Sequence, residues 1–272
     1  MSYSRAHNVF LTNFRAIHKS HGYRNGGVQP RTIFITGTDT GVGKTVLTAL
    51  LLAHLRGIGV PAFALKPFCS GGRDDAQILY HLQDGELTLE QVNPFHFREP
   101  LAPLVAARLQ RQRISFPKAL EAIRDVSSLL KNPKSKIQNP TLLVEGAGGL
   151  LTPLGEGFTA ADLIRELRCE VIVACANRLG ALNHTALTVR SLKAIGVKGP
   201  TLVLMDVDRP SRIPHRASRT NLQILRELLH PIRVSQLPYL PEFASAQVKT
   251  DWKPLLIRSA QKLRKGLAEI IY

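Results

Sequence analysis

Apolar residues fall along this chain in short unbroken runs, and stretches with a helical period separate them. The runs are 32–36, 62–66, 141–145, 171–175, 200–205 and 233–237. Apolar character that does not alternate belongs to strands buried on both faces. Between and after them, 44–56, 74–83, 101–111, 116–131, 160–168, 181–195, 217–229 and 253–269 carry the spacing of helices. Strands and helices in alternation predict an α/β fold, an open and mostly parallel sheet with helices on both faces. Ligands of such sheets bind beyond the carboxyl ends of the strands. The residues just after each run are therefore the candidates for chemistry.

After the first run comes Gly37-Thr38-Asp39-Thr40-Gly41-Val42-Gly43-Lys44-Thr45, and a helical pattern begins at once behind it. Strand, Gly-rich loop, Gly-Lys-Thr and helix in that order make a phosphate-binding loop of the P-loop NTPase type. The free N–H groups of the first helical turn can wrap phosphate oxygens, Lys44 can reach the terminal phosphates, and the Thr45 hydroxyl can ligate Mg²⁺. The strict pattern asks for glycine at 38, where this chain has threonine. A Gly-rich turn that merely caps a helix is the bland alternative.

The second run ends in Lys66-Pro67-Phe68-Cys69-Ser70-Gly71-Gly72, which places a lysine and a small polar pocket at the same sheet edge. Its alternative is a strand-capping lysine beside an ordinary turn. Asp74 and Asp75 open a helix, where they suit the dipole and where Asp75 can also supply a magnesium ligand. Glu145 closes the run 141–145 and is followed by Gly146-Ala147-Gly148-Gly149. A lone acid at the end of a central strand is costly to bury, and a bound cation explains it better than packing does. Thr45, Asp75 and Glu145 together offer one hydroxyl and two carboxylates. Asn183, near the start of the helix at 181, can cap it or bind a carboxylate. His184 beside it has no acid or nucleophile partner in view and reads as structural.

Composition narrows the picture a little further. With 272 residues and 44% hydrophobic content the chain can bury a large core, and no apolar run approaches the roughly 20 residues of a membrane span, so a soluble, cytoplasmic protein is expected. Three cysteines without CxxC spacing, Cys69, Cys169 and Cys175, give neither a disulfide framework nor a zinc site and fit a reducing compartment. The formal charge of +16 is spread along the chain, with no acid in residues 1–38 and a basic segment at 209–219. Only 6% of residues are aromatic and none interleave with a basic stripe, which argues against a nucleic-acid partner. Residues 1–30 read as a disordered extension or an over-long start rather than a transit peptide, and 31–272 as a single P-loop α/β domain.

In order along the chain, Gly37 to Thr45, Lys66-Pro67 with Ser70, Asp75-Ala76, Asn93-Pro94, Glu99-Pro100, Glu145 to Gly149, Leu179-Gly180 with Asn183-His184, and Pro238-Tyr239-Leu240 resemble the dethiobiotin synthetase family. The resemblance covers residues 31–242. It implies a homodimeric ATP- and Mg²⁺-dependent ligase that closes a cyclic urea on 7,8-diaminopelargonic acid with CO₂. It implies that Gly41, Val42, Gly43, Lys44, Thr45 and Val46 hold ATP, with Glu145, Gly146, Ala147 and Gly148 alongside. Met205, Asp206, Pro238, Tyr239 and Leu240 would flank the base. Thr45, Asp75 and Glu145 would organise Mg²⁺, Lys66 and Lys44 would be catalytic, and Thr40, Ser70 and Asn183 would meet the diamine. Where the family commonly has an adenine-reading asparagine this chain has Met205, so weak discrimination between bases is expected.

Two other functions stay open on sequence alone. One is a related P-loop amidoligase acting on another small carboxylate. The other is a nucleotide-dependent switch protein; such proteins usually carry a second lysine five residues before Lys44, where Asp39 stands here. A degenerate binding module would have lost Lys44, Thr45 or Glu145, and all three are present.

Overall fold

The computed structural model describes residues 30–131, 138–207, 216–243 and 252–272. The expected N-terminal extension through residue 29 lies outside the described residues, as do positions 209–215 of the basic segment.

All six apolar runs become strands of one six-stranded sheet. They are β1 (Arg31–Gly37), β2 (Ala62–Leu65), β5 (Thr141–Glu145), β8 (Glu170–Ala176), β9 (Thr201–Met205) and β10 (Val234–Leu237). Two pairs of very short strands lie outside it: β3 (Phe68–Ser70) with β4 (Phe95–Phe97), parallel, and β6 (Pro153–Gly155) with β7 (Phe158–Thr159), antiparallel. The large sheet runs in the order β10-β9-β8-β1-β5-β2, with every neighbouring pair parallel. β1 is central, and Ile33 to Gly37 are buried without interruption, which requires cover on both faces. Because the strands are parallel, their carboxyl ends share one edge, and that edge collects Gly37, Leu65, Glu145, Ala176, Met205 and Leu237.

The helices are α1 (Lys44–Gly57), α2 (Asp74–Leu82), α3 (Leu89–Val92), α4 (Pro103–Leu109), α5 (Phe116–Leu130), α6 (Ala160–Leu167), α7 (Ala181–Ala194), α8 (Arg216–Leu228), α9 (Trp252–Lys262) and α10 (Arg264–Ile271). Helix α1 is buried almost all round, from Leu47 to Leu55. It lies against the sheet with α2, α9 and α10 packed around it. Each of its buried leucines contributes roughly 1.5–3 kcal/mol of burial free energy, so the phosphate loop that precedes it starts from a fixed base.

The single helix expected over 253–269 is two helices, broken at Leu263 (φ −93°, ψ 8°). The second piece is held by arginines that reach its last carbonyls. Arg31 donates to the Ile271 carbonyl at 2.6 Å, and Arg233 donates to those of Glu269 and Tyr272 at 2.9 and 3.2 Å. The same Arg31 makes a two-pronged ion pair with Glu170. Hydrophobic spacing cannot report such a break, because Leu256, Ala260, Leu267, Ile270 and Ile271 are buried on both sides of it.

Strand β2 is at the sheet edge, so one side of its backbone has no neighbouring strand. The buried side chain of Gln83 takes that role: its Oε1 accepts from the Ala64 N–H at 2.9 Å and its Nε2 donates to the Ala64 carbonyl at 3.0 Å. An edge strand capped in this way offers less free backbone to another chain.

His54, on the buried helix α1, has an Nε2 that meets no hydrogen-bond partner. Burial holds its pKa below the ordinary 6.5. The unfolded chain therefore takes up this proton more readily than the folded one. Stability is intact above 6.5 and is lost as the pH falls from there towards the depressed folded value. Urea denaturation between about pH 7 and pH 5 should show this acid limb in the wild type and a flatter one in His54→Leu; identical profiles would contradict the assignment.

Candidate active site

The phosphate loop is shaped by its neighbours. Gly43, the residue that starts α1, has φ +90°, a conformation that a side chain strains. A Cβ there would also fall 3.1 Å from Cε and 3.4 Å from Cβ of Met205. Met205, at the end of β9, is therefore buried against the loop. Lys44 is buried and its Nζ folds back to donate to the Asp39 carbonyl at 2.8 Å. Burial, followed by repulsion from Lys66, lowers its pKa to about 8. Thr40 and Gly41 stand exposed at the loop tip, Val42 is buried beneath it, and Val46 is half-buried on α1.

Glu145 is the centre of the site. It is wholly buried, and its Oε1 accepts from the Thr45 hydroxyl at 2.7 Å and from the Lys66 ammonium. Its Oε2 has no partner among the described residues. Lys66 also lies 3.2 Å from Asp75 Oδ2 and donates to the Gly146 carbonyl at 3.4 Å. Burial alone would lower the pKa of Lys66, but Glu145 and then Asp75 outweigh it and hold the ammonium above the ordinary lysine range. Asp75 stands at the mouth with its side chain 51% exposed. Three residues that sequence placed apart, Thr45, Asp75 and Glu145, are thus gathered around one lysine.

These side chains fit magnesium. The set is all oxygen, one hydroxyl and two carboxylates, and one oxygen of the buried carboxylate has no partner among the described residues. Among the described residues no group of three His, Cys, Asp or Glu gathers as zinc would want.

The loop after Glu145 is braced from within. Gly146 N–H donates to the Ile35 carbonyl at 2.9 Å, and Gly149 N–H donates to Thr152 Oγ1 at 2.9 Å. At Gly148 (φ +65°) a Cβ would fall 2.4 Å from that hydroxyl oxygen, so a larger residue would break the brace. Ala147 is half-buried beside it. Ser70 Oγ is buried and has no partner, a free polar atom four residues beyond Lys66. The neighbouring Cys69 thiol is pushed up to about 12 by burial, so it is inert packing and no nucleophile.

At the far end of the same edge, Asp206 accepts from Asn177 Nδ2 at 2.7 Å and from Gln236 Nε2 at 2.9 Å, and Asn221 in turn donates to Asn177 at 3.0 Å. Pro238, Tyr239 and Leu240 follow β10 beside this chain of amides. Asn183 is exposed in the first turn of α7, and that helix is capped by Gly180 (φ +91°) with no side-chain bond, so Asn183 does not serve as the cap. Leu179, just ahead of it, is 89% exposed.

Two residues have structural roles that the sequence pattern did not show, Arg73 and the Asn93 of the Asn93-Pro94 pair. Asn93 is buried, and its Nδ2 donates to the Lys66 carbonyl at 2.7 Å. Arg73, at the start of the helix that carries Asp75, donates from Nε to Asn93 Oδ1 at 3.0 Å and from NH2 to the Asn93 carbonyl at 3.0 Å. The Lys66 turn and the Asp75 helix are therefore clamped to one point. The available signal was an asparagine set between apolar Val92 and Phe95, where burial demands partners.

Fold and site together define a P-loop α/β protein built for a nucleoside triphosphate. A family model described as an AAA domain matches residues 31–247. Among solved structures, a putative plasmid partition protein from Borrelia burgdorferi B31, bound to AMPPNP, aligns with 87% of this chain and 99% of its own at TM-score 0.50 and 12% identity, a likeness of fold alone. The ATP-dependent dethiobiotin synthetase of Anaeromyxobacter sp. (strain Fw109-5) is 40% identical over 211 residues, 74% of this chain and 90% of that protein. That of Bacillus licheniformis is 32% identical over 220 residues, 79% and 88% of the two chains. The chain belongs to the dethiobiotin synthetase family.

Gly43→Ala combines the positive φ with the close approach to Met205 and should weaken binding of a fluorescent ATP analogue by at least about tenfold, roughly 1.4 kcal/mol. An affinity equal to the wild type would contradict the packing described for the loop.

Proposed function

We propose that this protein forms dethiobiotin from 7,8-diaminopelargonic acid and CO₂, converting ATP to ADP and phosphate, as a step of biotin biosynthesis. Family membership supports the overall reaction. The observation that carries the site assignment is the convergence of Thr45 and Lys66 on one oxygen of the buried Glu145, with the other oxygen left unpartnered.

In the proposed sequence one amine of the diamine adds to CO₂ and loses a proton, giving a carbamate. A carbamate oxygen then attacks the γ-phosphorus and ADP leaves. The second amine attacks the carbonyl carbon of the resulting carbamic–phosphoric anhydride and loses a proton, and phosphate departs as the ring closes. The backbone from Gly41 to Val46 would wrap the phosphates. Lys44 and Lys66 would meet the terminal oxygens, where their mutual repulsion in the free protein turns into attraction for an anion. Mg²⁺, held by Thr45, Asp75 and Glu145, would supply further neutralisation of phosphate charge. Thr40 and the unpartnered Ser70 hydroxyl would face the diamine, and Asn183 its carboxylate. Gly146, Ala147 and Gly148 would line the phosphates; Asp206, Pro238, Tyr239 and Leu240 would flank the base.

A second copy of the chain is the proposed partner. Leu101, Val105 and Leu109 recur every four residues on and just before α4 and are all exposed, as is Leu179 beside the Asn183 site. No helix among the described residues is long and apolar enough to cross a membrane. Three free thiols support a reducing, cytoplasmic setting.

Phosphate release from MgATP and bicarbonate should depend on the diamine, and release that ignores it would refute the substrate. Lys66→Gln should lower turnover by about 10²–10³-fold while ATP still binds; surviving turnover would remove Lys66 from the chemistry. Met205 offers no donor and acceptor pair and is turned onto Gly43, so ATP, CTP and GTP should give kcat/KM values within about tenfold of each other. A preference for ATP of about a hundredfold or more would contradict this.

A further inference from the structure

The metal shell proposed above already holds a cation. The Lys66 ammonium donates to Glu145 Oε1, sits 3.2 Å from Asp75 Oδ2 and contacts the Gly146 carbonyl, while Thr45 shares the same Glu145 oxygen. Each of the three candidate metal ligands is thus in contact with Lys66 or with the oxygen that Lys66 occupies. The carboxylate of Glu145 is fully buried, so a charge must balance it at all times. A divalent ion at the same oxygens would repel the ammonium, most strongly at the buried Glu145. Metal and lysine therefore compete for Glu145 Oε1 and Asp75 Oδ2, the two oxygens that Lys66 faces.

The main chain around Lys66 is fixed, so an exchange would involve the side chain alone. The backbone of Lys66 is fixed on both sides, its N–H to the Val92 carbonyl at 2.9 Å and its carbonyl by Asn93 at 2.7 Å. Asn93 is itself held by Arg73, which also anchors the start of the Asp75 helix. What remains free is the four-carbon stem. Phosphates wrapped by the loop around Lys44 would offer the released ammonium a new counter-charge.

We propose that Lys66 is the resident counter-cation of the Glu145 and Asp75 carboxylates, and that it is displaced towards the nucleotide phosphates when a divalent metal enters with them. The empty site then discriminates against free divalent metal, and the same event that seats the metal delivers the lysine to the reacting phosphate. The inference rests on the assignment of Thr45, Asp75 and Glu145 to the metal.

Titration of Mn²⁺ against the full-length protein, with free Mn²⁺ read by electron paramagnetic resonance, tests it without any turnover. In the absence of nucleotide, Lys66→Met and Lys66→Gln should bind Mn²⁺ at least about tenfold more tightly than the wild type, because the competing charge is gone. Lys66→Gln keeps a hydrogen-bond donor for Glu145, so it decides the matter if the methionine variant does not fold. Wild-type or weaker affinity in a folded Lys66→Gln protein would overturn the exchange. Glu145→Gln, loaded with a non-hydrolysable ATP analogue, should lose Mn²⁺ affinity. If it did not, the metal assignment would fail by itself, whatever Lys66 does.

Discussion

A carboxylate with no exposure to water sits at the end of a central strand of this protein, and the rest of the site is arranged around that cost. Left alone, Glu145 would be one of the most destabilising groups in the core. Its partners come from two other segments: Thr45 from the first turn after the phosphate loop and Lys66 from just beyond the edge strand. These segments are far apart in sequence and adjacent only because β5 lies between β1 and β2. The topology of the sheet thus decides which residues share the burial of one charge.

Holding that arrangement takes a rigid support, and the structure supplies it with buried amides rather than with more apolar surface. Gln83 stands in for a missing neighbour strand along β2, and Asn93 with Arg73 ties the Lys66 turn to the helix bearing Asp75. At the other end of the edge, the buried Asn177 and Asn221, with the exposed Gln236, do the same for Asp206. Each amide answers backbone or carboxylate groups that the sheet leaves open at its margins. Met205 fills the remaining gap beneath the phosphate loop, where only a glycine backbone fits above it.

Much of this could be read from residue order alone, for identifiable reasons. The six strands of the main sheet are buried on both faces, so continuous apolar runs mark them, and the phosphate loop announces itself by Gly-Lys-Thr between a strand and a helix. Glu145 was visible because an acid closes an apolar run. The strands β3, β4, β6 and β7 were not, since two or three residues are too few to show a period. The break at Leu263 was hidden because apolar residues continue through it. The contacts of Gln83, Arg73 and Asn93 depend on which segments meet in space, which no local pattern records. Lys66 fell at a strand end as expected, yet its place between two carboxylates required the sheet order.

The central claim is that Glu145 is buried for the sake of a cation, a lysine in the empty site and a metal in the loaded one. A crystal structure with Mn²⁺ and a non-hydrolysable ATP analogue, with the ion located by its anomalous scattering, tests this most directly. The account predicts a single manganese peak on the Thr45 hydroxyl and the Asp75 and Glu145 carboxylates, with the Lys66 ammonium withdrawn to the phosphates. Manganese held by the nucleotide alone, with Lys66 still on Glu145, would contradict it.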